Sequence, residues 1–364
     1  MRIAVNAASL KNNRFQLFLN LAALSPQHTF LFLYDSEPNS SNLPENIIPV
    51  VITPPATNLL KRRIWYHLKL PSALKKNKAD ILISERFISL KTKVPQILMQ
   101  PDLTYIHQPA FIKKKEIGFF KKNTKKFIET ANEIVVSSSS LKNEIITRFK
   151  TDDKKITVIY PSIKEEFHAA TYEEREIAKE KYAEGNEYFI YNGIISPQQN
   201  LTNLLKAFSF FKKRQRSKMQ LIITGERGEK YDEFVRSLQS YRFKNDVKVL
   251  IDLSQSEKEK ILASAYAMIY VPLYETEGNE VIEAMKSEVP LILSDTQLLK
   301  EYAADAALYV TPDNINDVAE KMMLLFKDEE KRKELIENGR IRLKKFSDVE
   351  NTDILLKRIE ETEI

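Results

Sequence analysis

Cysteine is absent from the 364 residues, so disulfides and thiolate-held metals are excluded. The four histidines, at positions 28, 67, 107 and 168, are too scattered to form a histidine metal cluster. Glycine is scarce: there are seven, against a usual share of about 7%. Neither G-x-G-x-x-G nor a P-loop occurs, so any nucleotide site must be assembled from helix ends and single glycines. No apolar run is long enough to cross a membrane as a helix. The opening Met1-Arg2-Ile3-Ala4-Val5 lacks the features of a signal peptide and reads as a strand that begins at once. A cytosolic location is the resulting expectation.

What is present is ordinary for a globular chain: 43% hydrophobic and 29% charged residues, over a length that suits two domains. The charge is divided unevenly. Residues 1–170 carry 26 Lys+Arg and 14 Asp+Glu, whereas residues 171–364 carry 30 and 36. A basic half therefore precedes an acidic one, which suits a partner with an anionic surface on the first half alone.

Short β-like runs at 3–5, 30–34, 81–83, 97–99, 134–136 and 156–159 alternate with helical or polar stretches in the first half. The second half repeats the pattern, with strands expected at 188–191, 221–223, 247–251, 267–271 and 291–293 and a helical tail from Asn314. Such alternation predicts parallel sheets covered by helices on both faces. Two such halves predict two Rossmann-like domains facing a cleft, with ligand-binding residues in the turns after the strands.

The most informative segment runs from Tyr270 through Glu275, Gly278, Asn279, Glu280 and Glu283 to Pro290. It places an apolar strand, a turn glycine, Glu-Ala-Met, Val-Pro and a second apolar strand in succession, with Glu275 and Glu283 eight apart. This segment resembles the signature of the group 1 (family 4) retaining glycosyltransferases. Tyr188 to Phe208, Leu221 to Gly225, Asp305 to Val310, Lys93 to Leu98 and Ile134 to Ser140 are similar to further segments of that family, so the resemblance covers nearly the whole chain.

The resemblance implies a GT-B-type fold. An acceptor-side domain would span 1–165, with a C-terminal helix, 350–364, crossing back to it, and a domain for a nucleotide-sugar donor would span 166–349. It implies a nucleotide diphosphate sugar as substrate, a glycan or lipid-linked acceptor, and no metal or other cofactor. A helix opening near Asn279 would meet the diphosphate with its unpaired N–H groups, at Gly278, Asn279 and Glu280. Glu283 would accept hydrogen bonds from ribose hydroxyls, and Glu275 would face the sugar ring. Gly193 and Gln199 fall at other donor positions; two readings stay open for Arg227, reaching the donor phosphates or merely exposed, and for Asp102, orienting an acceptor hydroxyl or serving as a turn residue or cap. The plainer reading of Glu275 and Glu283, as solvated glutamates on a loop and a helix, stays open.

The sequence departs from the family pattern in four places. The loop after the first strand, from Ala7 to Arg14, has no glycine. Gln100-Pro101-Asp102 stands where a His-Asp pair is usual. Ile194, Gln198 and Gln199 occupy the stretch that usually offers Lys or Arg to the diphosphate. Glu288 replaces the glycine before Val-Pro. A neutral amide cannot neutralise a leaving group, so the donor-phosphate positions are degenerate. Two readings follow: an active transferase in which Lys11, Arg14 or Arg227 compensates, or a nucleotide- or glycan-binding protein or scaffold without turnover.

The stretch 113–126, from Lys113 to Lys126, predicts a basic amphipathic helix. Ile117, Phe120, Phe127 and Ile128 lie near one face, and Lys114, Lys121, Lys122 and Lys125 lie away from it. Residues 61–69 mix cations and aromatics in the same way. Both suit an anionic membrane surface, which would place the protein at the inner face of a membrane, or else an apolar face packed on the core beneath solvated lysines. No nucleic-acid fold signature accompanies them.

Overall fold

The computed structural model describes residues 1–10, 12–38, 43–55, 59–85, 87–101, 103–161, 166–346 and 348–362. The chain divides into two compact units. Unit 1 is Met1–Ser162 with Ser347–Ile364, and unit 2 is Ile163–Phe346.

In unit 1, β1 (Arg2–Val5) leads to α1 (Asn12–Leu24), β2 (Thr29–Tyr34) and β3 (Ile47–Val51). A long helical stretch follows, made of α2 (Leu59–Ile64), wider π-type turns over Trp65–Lys69, and α3 (Leu70–Lys76). Then come β4 (Ile81–Glu85), β5 (Gln96–Met99), α4 (Thr104–His107), α5 (Lys114–Thr130), β6 (Glu133–Val136), α6 (Ser139–Phe149) and β7 (Ile156–Val158). Among the described residues these strands form one parallel sheet in the order β3-β2-β1-β4-β5-β6-β7.

Strand β3 was not foreseen, because Pro49 interrupts Ile47-Ile48-Pro49-Val50-Val51. The topology explains its tolerance: β3 lies at the sheet edge and pairs with β2 alone, so proline's missing N–H can face away from the ladder.

Side chains alternate from the strands to two faces. Ile3, Val5, Phe30 and Phe32 join Leu17, Phe18 and Leu21 of α1. Ala4, Leu31, Leu33 and Leu82 join Trp65, Leu70 and Leu74 on the opposite face. The last helix of the chain, α15 (Asp348–Glu361), belongs to unit 1: Leu355 and Ile359 enter the α1 side of its core. Asn351 Nδ2 donates to the Tyr160 carbonyl at 3.0 Å, and His28 meets Glu360 at 3.1 Å.

Unit 2 runs α7 (Tyr172–Ala183), β8 (Tyr188–Asn192), α8 (Leu201–Gln215), β9 (Gln220–Gly225), α9 (Tyr231–Leu238), β10 (Val247–Ile251), α10 (Gln255–Ala263) and β11 (Ala267–Tyr270). It continues with α11 (Asn279–Lys286), β12 (Leu291–Ser294), α12 (Gln297–Ala303), β13 (Ala307–Val310), α13 (Ile315–Lys327) and α14 (Glu329–Leu343). Its sheet is parallel, in the order β10-β9-β8-β11-β12-β13. Thr171 and Glu174 form a capping box that starts α7, and Ser254 and Glu257 form another that starts α10. Among the described residues no helix is long and apolar enough to cross a membrane.

The apolar face of α5 lies in the core: Phe120, Phe127 and Ile128 are buried with Leu98, Ile134 and Ile145, while Lys114, Lys121, Lys122 and Lys125 are exposed. That face is therefore not available to enter a lipid layer, and what α5 turns outward is lysine.

Candidate functional site

In each sheet the strand order reverses once. The reversal falls between β1 and β4 in unit 1 and between β8 and β11 in unit 2. The carboxyl ends of such a strand pair splay apart and leave room for a ligand.

In unit 2 the turn after β8 is held by backbone that only glycine permits. Gly193 has φ +152°, and a Cβ there would lie 2.8 Å from the Tyr191 hydroxyl. Gly225, at the end of β9, has φ +134°, and its Cβ would lie 1.8 Å from the Gly193 carbonyl oxygen. The ends of β8 and β9 thus touch backbone to backbone. Asn200 ties this loop to its neighbours: its Nδ2 donates to the Val271 carbonyl at 3.1 Å and the Pro312 carbonyl at 2.8 Å. The Leu273 amide donates to the Gln198 carbonyl at 3.0 Å, joining the turn after β8 to the turn after β11.

Beyond β11 the Glu275 carboxylate is fixed by three donors. The Tyr270 hydroxyl donates to Oε2, and the amides of Thr276 and Glu277 donate to Oε1 at 2.7 and 2.9 Å. Tyr270 is buried and stacks on Tyr191, with centroids 5.9 Å apart and planes at 17°. Burial, reinforced by Glu275 and Glu280, holds both phenols protonated, with pKa values well above 10.0.

Gly278, in the left-handed region at φ +64°, turns the chain into α11, which opens at Asn279. Glu280 sits in the first turn. Burial raises its pKa well above 4.5, with further increases from Glu275, Glu283 and Glu277 and an opposing effect from its own backbone N–H. Glu283 follows one turn into the helix, half-buried.

The helix opening thus gathers four carboxyl groups. Ionised, they accept hydrogen bonds from hydroxyls; protonated, Glu280 donates one. The charged groups that raise the Glu280 pKa are carboxylates. Among the described residues no group of three or more His, Asp or Glu is placed to hold a metal ion.

Of the residues expected from sequence, Glu275, Gly278, Asn279, Glu280 and Glu283 stand on one turn-and-helix segment after β11, beside Gly193 after β8. Gln199 ends a short 3-10 turn, Pro197–Gln199, in the same post-β8 loop, and its Oε1 is buried with no hydrogen-bond partner. Arg227 is committed elsewhere: its guanidinium pairs with Asp252 at 3.0 Å, just after β10, and lies 5.2 Å from the Tyr231 ring centroid. Asp102 and Lys11 lie outside the described residues.

Arg14 is paired with the buried Glu85 at the reversal point of unit 1. There Asn6 Nδ2 donates to the Tyr66 hydroxyl at 2.7 Å and to Ser84 Oγ at 3.0 Å, and burial pushes the Tyr66 phenol up to about 12. Gln100, in place of the family histidine, has φ +46° and is buried, and its Oε1 accepts from the Ser137 amide at 3.0 Å. Glu288, in place of a glycine, keeps the left-handed φ of +56° that the glycine would serve, and binds Arg340 through both oxygens at 2.8 Å.

Sequence reading did not single out Tyr191, Tyr270 or Asn200 for a role. Only Tyr270 carried a signal, standing five residues before Glu275 at the end of a strand.

A family model described as "Glycosyl transferases group 1" matches residues 173–342, and one described as "Glycosyltransferase Family 4" matches residues 19–167. The chain belongs to the group 1, family 4 glycosyltransferases. Among related proteins, the chain is 27% identical to O-antigen chain mannosyltransferase RfbU of Salmonella typhimurium, over 71% of this chain and 69% of that one. It is 22% identical to O-antigen chain mannosyltransferase B of Escherichia coli, over 68% of this chain. That match spans 65% of the relative's length, a little under two thirds. Among solved structures, HepE of Anabaena in complex with UDP-glucose superposes with a TM-score of 0.76 at 13% identity, covering 99% of this chain and 100% of that one. This likeness, with the two parallel-sheet units, establishes the GT-B fold of this family member.

Proposed function

We propose that this family member moves a hexose from a nucleotide diphosphate sugar to a glycan or lipid-linked acceptor, with retention at the anomeric carbon and without a protein-held metal. The observation that carries the reading is Glu275, fixed by Tyr270 and two backbone amides beside the glycine-turned opening of α11. A carboxylate held this rigidly at a strand end is preorganised to accept sugar hydroxyls, and the helix opening next to it favours a diphosphate.

In this reading unit 2 takes the donor. The diphosphate meets the backbone at Gly278, Asn279 and Glu280 and the turn at Gly193. Gln199 offers its amide and Arg227 its charge after leaving Asp252. Glu283 receives the ribose hydroxyls, and Glu275 the sugar ring. Unit 1 takes the acceptor, with Asp102 orienting its hydroxyl. The bond from the anomeric carbon to the phosphate oxygen breaks. The acceptor oxygen bonds to that carbon on the same face, and its proton passes to the departing diphosphate. The two relatives named as mannosyltransferases support a hexose, and the UDP-glucose held by HepE supports a nucleotide-sugar donor.

One observation favours a second reading, in which the protein binds nucleotide or glycan, or scaffolds other enzymes, without turnover. Glu277 and Glu280 add carboxyl groups to the helix opening, and Arg227 is held by Asp252. Calorimetric titration with UDP and GDP, followed by a donor-turnover assay, separates the readings. Binding with turnover is the expected result, and binding without turnover selects the second reading. If no nucleoside diphosphate binds at all, the transferase assignment fails.

A further inference from the structure

The carboxyl edge of the unit 1 sheet carries a row of buried polar side chains. Asn6 follows β1, Ser84 and Glu85 close β4, Gln100 follows β5 and Ser137 follows β6. All five residues are at most 7% exposed. The residues before them in β1 and β4, Ile3 to Val5 and Ile81 to Ile83, are apolar, so in these two strands the polarity begins at the edge.

Alternation along β4 sorts the row onto two faces. Ile81 and Ile83 face α1, and so does Glu85, which meets Arg14 from the first turn of α1. Leu82 faces α2–α3, and Ser84 shares its face. Asn6 Nδ2 gives one hydrogen to the Tyr66 hydroxyl and the other to Ser84 Oγ. Both oxygens therefore accept, and both hydroxyls keep a hydrogen to donate. Gln100 holds a left-handed φ of +46°, which a non-glycine residue keeps only where its surroundings enforce it, and the Ser137 amide fixes its Oε1 at 3.0 Å.

Stability does not explain the Arg14–Glu85 pair. A buried ion pair is often no more stable than two apolar residues of similar volume, although losing one partner is costly. The Glu85 side chain is 3% exposed and that of Arg14 14%, so Arg14 is the member that reaches the crevice at the reversal between β1 and β4.

We propose that this edge reads the hydroxyls of a neutral sugar, the end residue of the glycan that accepts transfer, with Arg14 in contact with it and Glu85 positioning Arg14. This rests on the reading in which unit 1 takes the acceptor, and narrows that acceptor to a sugar hydroxyl in place of a lipid phosphate. Charge disfavours an anion: Glu85 neutralises Arg14, and Arg62, the cation acting on Tyr66, lies 5.2 Å from the Phe87 ring centroid. Hydrogen-bonding capacity favours a polyol. The row sets hydroxyl, amide and guanidinium donors beside hydroxyl, amide and carboxylate acceptors, and every sugar hydroxyl uses both kinds.

The test is saturation-transfer NMR on the full chain with the methyl glycosides of mannose, glucose, galactose and N-acetylglucosamine, and with inorganic phosphate as competitor. No donor and no turnover enter this measurement, so its failure leaves the transferase reading to the nucleotide titration. At least one glycoside is expected to bind, and phosphate at equal concentration is expected not to displace it. Glu85→Gln is expected to weaken that binding about tenfold and to reduce the preference for the glycoside over its monodeoxy analogues. Arg14→Lys keeps the charge but loses the planar fork, and is expected to fold as the parent does and bind less tightly. Glu85→Met alone is expected to lower the urea midpoint, and Arg14→Met/Glu85→Met to restore it. A purely structural pair would then recover sugar binding along with the fold, whereas the double variant is expected to remain unable to bind.

The proposal is overturned if none of the four glycosides binds the parent, or if phosphate displaces the one that does. It is also overturned if Glu85→Gln and Arg14→Lys bind and discriminate as the parent does, or if the double methionine variant recovers binding.

Discussion

The Tyr270 hydroxyl, at the last residue of β11, donates to the Glu275 carboxylate across the turn that follows the strand. The strand anchors the ring in the core, so the phenol fixes the carboxylate without loop flexibility intervening. Tyr270→Phe keeps the ring and removes the donor. A hydrogen bond to a charged group contributes about 1.5–3 kcal/mol, and urea unfolding is expected to show a loss near the low end of that range. In the transfer assay kcat is expected to fall about tenfold with little change in donor affinity. Parental kcat in this variant would show that the Tyr270 hydroxyl is not needed to position Glu275 for transfer.

Glu275 and Glu283 are expected to fail differently. Glu283→Gln weakens donor binding by about tenfold, because a neutral amide accepts hydrogen bonds from hydroxyls less strongly than a carboxylate. Glu275→Ala lowers transfer by about a hundredfold and donor binding much less. Calorimetry and donor-hydrolysis rates on the same preparations distinguish the two. Parental behaviour in both variants would return these glutamates to the surface-loop reading.

Glu280 sets a pH dependence of definite sign. Its folded pKa lies above its ordinary 4.5, so above that pH the folded state binds more protons than the unfolded chain. Its contribution to stability is therefore complete below the ordinary value and is lost as pH rises toward the folded value. Glu280→Gln imitates the protonated form. The variant is expected to gain stability on the parent between about pH 5 and about pH 8, and donor affinity is expected to depend less on pH. Unfolding curves at both ends of that range check it, and a gain that shrinks with rising pH would contradict the assignment.

Gly225 tests the contact between strand ends. Alanine there combines φ +134° with a Cβ 1.8 Å from the Gly193 oxygen, so backbone must move. Gly225→Ala is expected to cost about 4 kcal/mol or more and to abolish donor binding along with the turn. Gly118→Ala is the matched control, on the exposed surface of α5 with nothing within 4 Å of the added Cβ. It is expected to be neutral or slightly stabilising, since alanine is the better helix former. Thermal melts of the two variants suffice.

The alternation of short apolar runs with helical stretches was enough to read two parallel α/β units, because parallel strands buried on both faces leave continuous Val-Ile-Leu runs. Tyr270 to Pro290 was enough to read the turn and helix that hold Glu275 and Glu283, because a turn glycine and a helix start are local signals. Three things needed the fold. Strand β3 became readable only at the sheet edge, where Pro49 costs no central ladder bond. The outward face of the basic stretches depended on which side met the core: α5 spent its aromatic residues on packing, whereas α2–α3 kept Ile64 and Leu68 outside. The partners of two charged candidates, Asp252 for Arg227 and Glu85 for Arg14, were decided by tertiary structure alone, whereas Tyr270 stands only five residues before Glu275. Periodicity and turn chemistry act over a few residues and are written along the chain. The pairing of Arg14 with Glu85, or of Arg227 with Asp252, joins elements far apart in sequence, and exists only once the strands have taken their order.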